Sequence, residues 1–305
     1  MLVNVKNVRA IFVNLKVSFQ KAFDQTPSEW KKIAMVVPSA SKQNDYGWLG
    51  RFPKMRKWIG DKVVKALSAF NYSIVNDDFE ATVEVDRNDI EDDQLLGLAM
   101  QAGEAGQSAA ELPADLVFAL LNKGFTLKCY DGQPFFDTDH PVGNGVPKSV
   151  SNKGTKKLKV GSLAEAKASY GAARTAMRGF KDDEGASLKV RPTVLVVPTA
   201  LEDDANYLMT AEKFPDGTPN PYRNTAEVLA VPELTSDTAW FLLDTTRQVK
   251  PLIYQERKKP EFVEQTDYNN ETVFMRKKFL FGAEARAAAG YGFWQMAYGS
   301  TGEDA

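Results

Sequence analysis

Among 305 residues there is one cysteine and one histidine. A lone Cys129 cannot close an intrachain disulfide, and it excludes zinc sites built on paired cysteines. No apolar run approaches the roughly 20 residues that a membrane-spanning helix needs. The opening stretch, MLVNVKNVRAIFVNLKVSFQKAF, has neither the compact apolar segment nor the small-residue cleavage site of a secretory signal, so a soluble, intracellular chain without membrane contact is expected. Net charge is nearly absent: 38 Lys and Arg stand against 40 Asp and Glu, leaving −2. That balance excludes a chain built mainly to coat itself in nucleic acid. There are no repeats, no Walker phosphate loop and no dinucleotide fingerprint.

What the chain does have is core-forming material, with 43% hydrophobic and 26% charged residues. In residues 1–25, Val5, Val8, Ile11, Phe12, Leu15 and Phe19 recur at spacings of three and four, which predicts an amphipathic helix ending before Pro27. Its apolar face needs a partner, in the chain's own core or in a neighbour.

The charge is segregated. From Lys31 to Lys65 nine basic residues oppose two acidic ones, and from Asp77 to Asp93 nine acidic residues oppose Arg87 alone. In the basic stretch Tyr46, Trp48, Phe52 and Trp58 alternate with glycines and Pro53, a pattern suited to a long excursion with aromatic anchors. In the acidic stretch Phe79, Ala81, Val83 and Val85 alternate with Glu80, Thr82, Glu84 and Asp86, the period of a half-buried strand.

Further on, Leu95–Ala110 is rich in Ala, Gly, Leu and Met and predicts a helix that another backbone can approach closely. A second helix is expected from Pro113, at a first helical position, to Asn122, with Gly124 as its C-cap. Residues 129–159 carry turn signals and no regular element. Ser162 and Glu165 form a capping box, followed by an apolar stripe from Leu163 to Phe180. Strands are expected at Val194–Val197, Val228–Val231, Trp240–Leu243, Leu252–Tyr254 and Val273–Phe281, with a helix after Pro198. The fold class is α+β, mixed helices on mostly antiparallel sheet.

One cluster invites a chemical reading. In CYDGQPFFDTDHP, Cys129, Asp131, Asp137, Asp139 and His140 lie within twelve residues. A thiol nucleophile would use His140 as its base, giving a Cys/His-dependent hydrolase with Asp139, but no protease signature surrounds them. A calcium loop counted from Asp137 fails, because Pro141, Val142 and Lys148 fall where oxygen ligands or glycine are required. The expected arrangement is a structured turn, its aspartates capping amides and Phe135 and Phe136 pinning it to a core. No catalytic, metal or cofactor site is assigned. The basic runs Arg257–Lys259 and Lys153–Lys159 read as solvated faces.

Several long stretches resemble the major head (capsid) subunit family of Mu-like phages: YGWLGRFPKMRKWIG at 46–60, FEATVEVDRNDIEDDQLLG at 79–97, CYDGQPFFDTDHPV at 129–142, KPLIYQERKKPEFV at 250–263 and VFMRKKFLFGAEARAAAGYGFWQMA at 273–297. The resemblance is collinear over nearly the whole chain and weakens at about 143–160 and 212–225. It implies the tailed-phage (HK97-like) capsid fold: an N-terminal arm at 1–31, an extended loop at 32–78, a peripheral domain at 79–125 and 246–291 with a spine helix from Leu95, and an axial domain at 126–245 and 292–305. It implies self-assembly as hexamers and pentamers into an icosahedral head, assembled in the host bacterial cytoplasm. The implied partners are a scaffold protein, a portal, a decoration protein and non-specifically packaged double-stranded DNA. In such shells the extended loop of one subunit lies across its neighbour's peripheral domain. Trp48, Arg51, Phe52, Lys54, Arg56, Lys57 and Trp58 would then meet Glu80, Glu84, Asp86, Glu91, Asp92 and Asp93 of the next subunit. A ring or tube subunit of a phage is the competing structural reading.

Overall fold

The computed structural model describes residues 5–49, 71–92, 95–142, 148–267 and 270–304. In chain order, α1 (Val5–Gln25) leads into β1 (Ala34–Pro38), β2 (Gln43–Asp45), β3 (Ser73–Val75) and β4 (Asp77–Asp86). Then come α2 (Arg87–Glu91), α3 (Leu95–Lys123), β5 (His140–Val142), β6 (Lys148–Val150), β7 (Lys153–Gly154), α4 (Leu163–Ala166) and α5 (Ala172–Gly179). The chain ends through β8 (Val194–Val197), α6 (Glu202–Thr210), β9 (Glu227–Ala230), β10 (Trp240–Leu243), β11 (Leu252–Gln265), α7 (Glu271–Arg276), β12 (Lys278–Tyr291) and β13 (Ala297–Ser300).

Two sheets organise these elements. The first has strand order β1-β11-β12-β4 and the second β7-β13-β10-β8-β9. α1 and α3 cover the first sheet, while α5 and α6 pack on strands of the second. The predicted stripe of α1 is buried at Val8, Ile11, Phe12, Leu15 and Phe19. Phe12 meets Phe279 and Phe281 edge-on at 6.2 Å, and Phe19 meets Phe262 at 5.5 Å. Each fully buried ring of this kind contributes about 1.5–3 kcal/mol, so α1 is held by its own chain's sheet.

The small residues of α3 do what their size permits. A Cβ on Gly106 would strike the carbonyl of Phe19, so α1 and α3 lie with backbones in direct contact. Here the structure corrects the expectation of two helices, because Leu95–Lys123 is one helix of 29 residues with Pro113 inside it. Proline cannot donate to the carbonyl four residues back and crowds it, at a cost of about 3 kcal/mol. Burial on both sides of that point, from Ala102 and Ala109 to Val117 and Leu121, offsets the loss. Gly124 follows the helix but is not among the left-handed glycines. Its lack of a side chain makes room for the Phe136 ring, which a Cβ would approach to 2.6 Å.

Three further expectations change. Residues 129–159 contain the antiparallel pair β5–β6 and the short β7, which joins β13. The strand expected at 252–254 continues as β11 to Gln265, passing irregularities between Glu256 and Glu261 that accommodate Pro260. The strand expected at 273–281 begins only at Lys278, since Glu271–Arg276 is helical and Lys277 turns the chain with φ 54°. β12 then runs on to Tyr291 through AEARAAAG, a sequence with helical propensity that is overruled by pairing with β11 on one side and β4 on the other.

Candidate functional site

The basic excursion has a built root. β2 and β3 pair in antiparallel register, Gln43 opposite Val75 and Asp45 opposite Ser73, and the Tyr46 amide donates to the Tyr72 carbonyl at 2.7 Å. The two ends of the segment between them therefore leave the body side by side. Gln255, fully buried on β11, clamps this root: its Oε1 accepts from the Tyr46 hydroxyl at 2.9 Å, and its Nε2 donates to the Ile74 carbonyl at 3.1 Å and Asn76 Oδ1 at 2.7 Å. Asn76 in turn donates to Ser39 Oγ and the Ser41 carbonyl, both at 2.9 Å. On the other side the Tyr72 hydroxyl accepts from the Tyr291 amide at 2.8 Å, and burial pushes its phenol up to about 12. Buried polar groups satisfied this completely fix one geometry.

Trp48 is 36% exposed and leans on Phe293 at 6.1 Å and Tyr46 at 6.2 Å within its own chain. Arg51, Phe52, Lys54, Arg56, Lys57, Trp58 and Asp93 lie outside the described residues.

The acidic strand shows the predicted alternation. Phe79, Ala81, Val83 and Val85 turn inward, while Glu80, Thr82 and Glu84 are exposed. Its outer charges are partly answered by β12: Lys278 pairs with Glu84, and Arg286 reaches Asp78 at 2.5 Å. Glu80 is different. It stands directly opposite Glu284 in the register, holds only a hydrogen bond from Thr82 at 2.5 Å, and has no cation among the described residues. Asp86 caps α2 by accepting from the Asn88 amide at 2.8 Å, and Glu91 pairs with Arg87 at 3.0 Å. Asp92 ends α2, its amide donating to the Asn88 carbonyl.

The Cys129–His140 turn is a structural knot. His140 is fully buried and stacks on Trp294 at 4.1 Å. Its Nδ1 lies 2.7 Å from Asp131 Oδ2 and its Nε2 3.1 Å from Asn152 Oδ1. Asn152 Oδ1 also accepts from the Asp137 amide, while its Nδ2 faces the carbonyls of Phe135, Trp294 and Ala297. Cys129 donates its proton to Asp131 at 3.1 Å, and burial followed by the Asp131 charge pushes the thiol far up. A thiol so buried and placed beside a carboxylate is the opposite of an activated nucleophile. His140 faces Asp131 and Asn152 rather than the sulfur as a base would, which corrects the hydrolase reading. Asp139 is tied to Ser149 at 2.5 Å on the surface, away from any shared chemistry. Cys129, Asp131 and His140 place one donor atom each within 4.8 Å of one another, and mutual hydrogen bonds already account for them.

Sequence reasoning found the turn and the acidic strand but not Gln255, Asn76 or Asn152. The signal for Gln255 was a polar residue in the apolar run LIYQ; Asn152 gave none, because its partners lie up to 145 positions away.

Comparison with known proteins agrees with this architecture. The chain is 36% identical over 303 residues to the major capsid protein of Escherichia phage Mu, covering 99% of this chain and 76% of that one. It is 34% identical over 300 residues to a Mu-like prophage FluMu major head subunit of Haemophilus influenzae, covering 97% and 73%. Among solved structures, the procapsid of bacteriophage JBD30 superposes with a TM-score of 0.63 at 34% identity, over 98% of this chain and 76% of that one. The family model described as Mu-like prophage major head subunit gpT matches residues 8–164, 158–234 and 233–304. The chain belongs to that family of Mu-like major head subunits, and it carries the tailed-phage capsid fold.

Proposed function

We propose that this major capsid protein closes its shell by laying the basic segment of one subunit, centred on Arg51 to Trp58, across the acidic outer face of β4 in the next. The observation that carries the reading is the pairing of a clamped root with an unanswered charge. The segment leaves the body from β2 and β3 as a hairpin base, and Glu80 stands opposite Glu284, whose Lys258 at 3.3 Å is shared with Glu261, while Glu80 itself has no cation among the described residues. Like charges directly across a strand pair are destabilising until a cation arrives. Exposed ion pairs contribute only about 0–1 kcal/mol each. The charges therefore select register and speed encounter, and aromatic residues of the segment supply the holding energy.

Subunits joined this way form hexamers and pentamers of an icosahedral head, with residues 1–31 as arm, 32–78 as extended loop, 79–125 and 246–291 as peripheral domain, and 126–245 and 292–305 as axial domain. A scaffold protein and portal direct assembly in the host bacterial cytoplasm, a decoration protein binds the outside, and packaged double-stranded DNA touches the inside without sequence readout. Reversing Arg51, Lys54, Arg56 and Lys57 to Glu tests the contact. The variant subunit should stay soluble and folded by circular dichroism yet give no closed shells by electron microscopy; normal particles would refute it.

A further inference from the structure

Between α3 and the four-stranded sheet lies a cleft of about 130 Å³. Its floor is Phe79 and Ala81 of β4 with Ala283 and Ala285 of β12, and its helix wall is Ala109 and Leu112. The cleft exists because alanines occur on all three elements where larger side chains would have filled it. The cleft is open to solvent and Glu80, Glu284 and Ser108 also line it, but its volume is on the scale of the roughly 150 Å³ that accepts a single benzene ring.

The mouth is acidic. Asp115 lines it, and Glu111 sits one turn earlier on the same helical face. Carboxylates at this spacing repel. Neither has a cationic partner among the described residues: Glu111 only accepts from Gln107 at 2.7 Å, and burial together with Glu111 pushes the Asp115 carboxyl up. An apolar slot beside an unneutralised acid pair fits an aromatic ring flanked by cations.

The chain itself contains such a sequence, Arg51-Phe52-Pro53-Lys54. Phe180, Phe214 and Phe279 also neighbour a lysine, but they are buried in their own core. Trp58 follows Lys57, yet an indole exceeds the slot.

We propose that this cleft receives the Phe52 ring of a second copy of the chain, with that copy's Arg51 and Lys54 set against Glu111 and Asp115. This rests on reading the basic segment as an inter-subunit contact, and it specifies where on the neighbour the segment is anchored. The site is on the helix side of the sheet edge, so the segment wraps the edge formed by β4 instead of lying only on the strand's outer face.

Paired cysteines distinguish the two levels. Ser108 is exposed on the cleft wall and Thr82 is exposed on the outer face of β4. Particles assembled from full-length Phe52→Cys/Ser108→Cys, mildly oxidised and run without reductant, should give a ladder of disulfide-linked chains, and Phe52→Cys/Thr82→Cys should not. A ladder from the Thr82 pair alone would overturn the cleft and keep the segment on the neighbour. Well-formed particles with no ladder from either pair would overturn both. A crosslink within single chains at position 108 would show that each subunit fills its own cleft and would also overturn the proposal. As a second readout, Leu112→Trp, which fills the slot from within, should weaken subunit association roughly tenfold or more while the isolated subunit keeps its far-ultraviolet spectrum. Unchanged assembly of that variant would count against the cleft.

Discussion

Replacing Gly106 by alanine sets two physical effects against each other. In a helix interior, Gly→Ala stabilises by about 0.8–1 kcal/mol. At Gly106, however, the new Cβ would meet the backbone of Phe19, whose carbonyl carbon and Cα would lie at only 2.9 and 3.0 Å. Backbone atoms cannot rotate away, so α1 must move as a body. Overpacking of this sort costs about 1–3 kcal/mol, and α1 would loosen from its contacts at Phe19 and Phe262. The net expectation is a loss of about 0–2 kcal/mol. Gly103, in the same helix, has nothing within 4 Å of its Cβ position, so Gly103→Ala should stabilise by up to about 1 kcal/mol. Urea unfolding of the unassembled subunit, followed by tryptophan fluorescence, compares the two. Gly106→Ala should shift the midpoint down and expose residues 5–25 to protease, while Gly103→Ala should shift it up. If both variants move upward together, the close packing of α1 on α3 is refuted.

Gln255→Leu leaves the Tyr46 hydroxyl, the Ile74 carbonyl and Asn76 without their buried partner, and should lower stability by about 2–4 kcal/mol, read as a fall in melting temperature. Asn152→Ala strips acceptors from His140 and the Asp137 amide, and should cost about 3–5 kcal/mol in the same assay. Cys129→Ser, by contrast, should leave particle yield unchanged by electron microscopy. Tyr72 gives a pH dependence: its phenol titrates near 10 when unfolded and is raised to about 12 when folded, so the folded state binds more protons in that window. The Tyr72 contribution is fully present below pH 10 and falls by up to about 1.4 kcal/mol per unit as pH rises toward 12; Tyr72→Phe should make the fall in the unfolding midpoint over that range shallower, while the other buried tyrosines, Tyr130, Tyr254 and Tyr291, keep the rest of it.

Local periodicity carried most of what could be read beforehand. The apolar stripe of α1, the alternation of β4 and the Ser162 capping box, with its Oγ accepting from the Glu165 amide at 3.3 Å, each express one helix turn or one strand repeat. Readings failed where distant contacts overruled near ones. Pro113 reads as a helix start, yet packing on both sides keeps it inside α3. The strand expected at Val273–Phe281 starts later and runs on to Tyr291, because pairing with β11 and β4 holds an alanine run extended against its propensity. The clamp at Gln255 and the knot at Asn152 join residues more than a hundred positions apart, and no spacing in a single sequence encodes such partners. The charge reversal between the basic segment and β4 was plain in the composition, but not that Lys278 and Arg286 answer part of it from within.

The hairpin of β11 and β12 carries a mechanical consequence. Each strand has 14 residues, about 45 Å when extended. At one end Leu252, Ile253 and Tyr291 sit in the large core, and at the other Phe279, Phe281 and Phe262 sit in the cores beneath α1 and α3. The pair is thus a beam whose two ends are embedded in different blocks of the subunit. Its rungs lie across the strand axis, so a pull along the beam is shared among many hydrogen bonds at once instead of opening them singly. A pull that separates the two blocks along the strands therefore meets the subunit in its stiffest direction, and the irregular stretch around Pro260 is the place where the beam yields first.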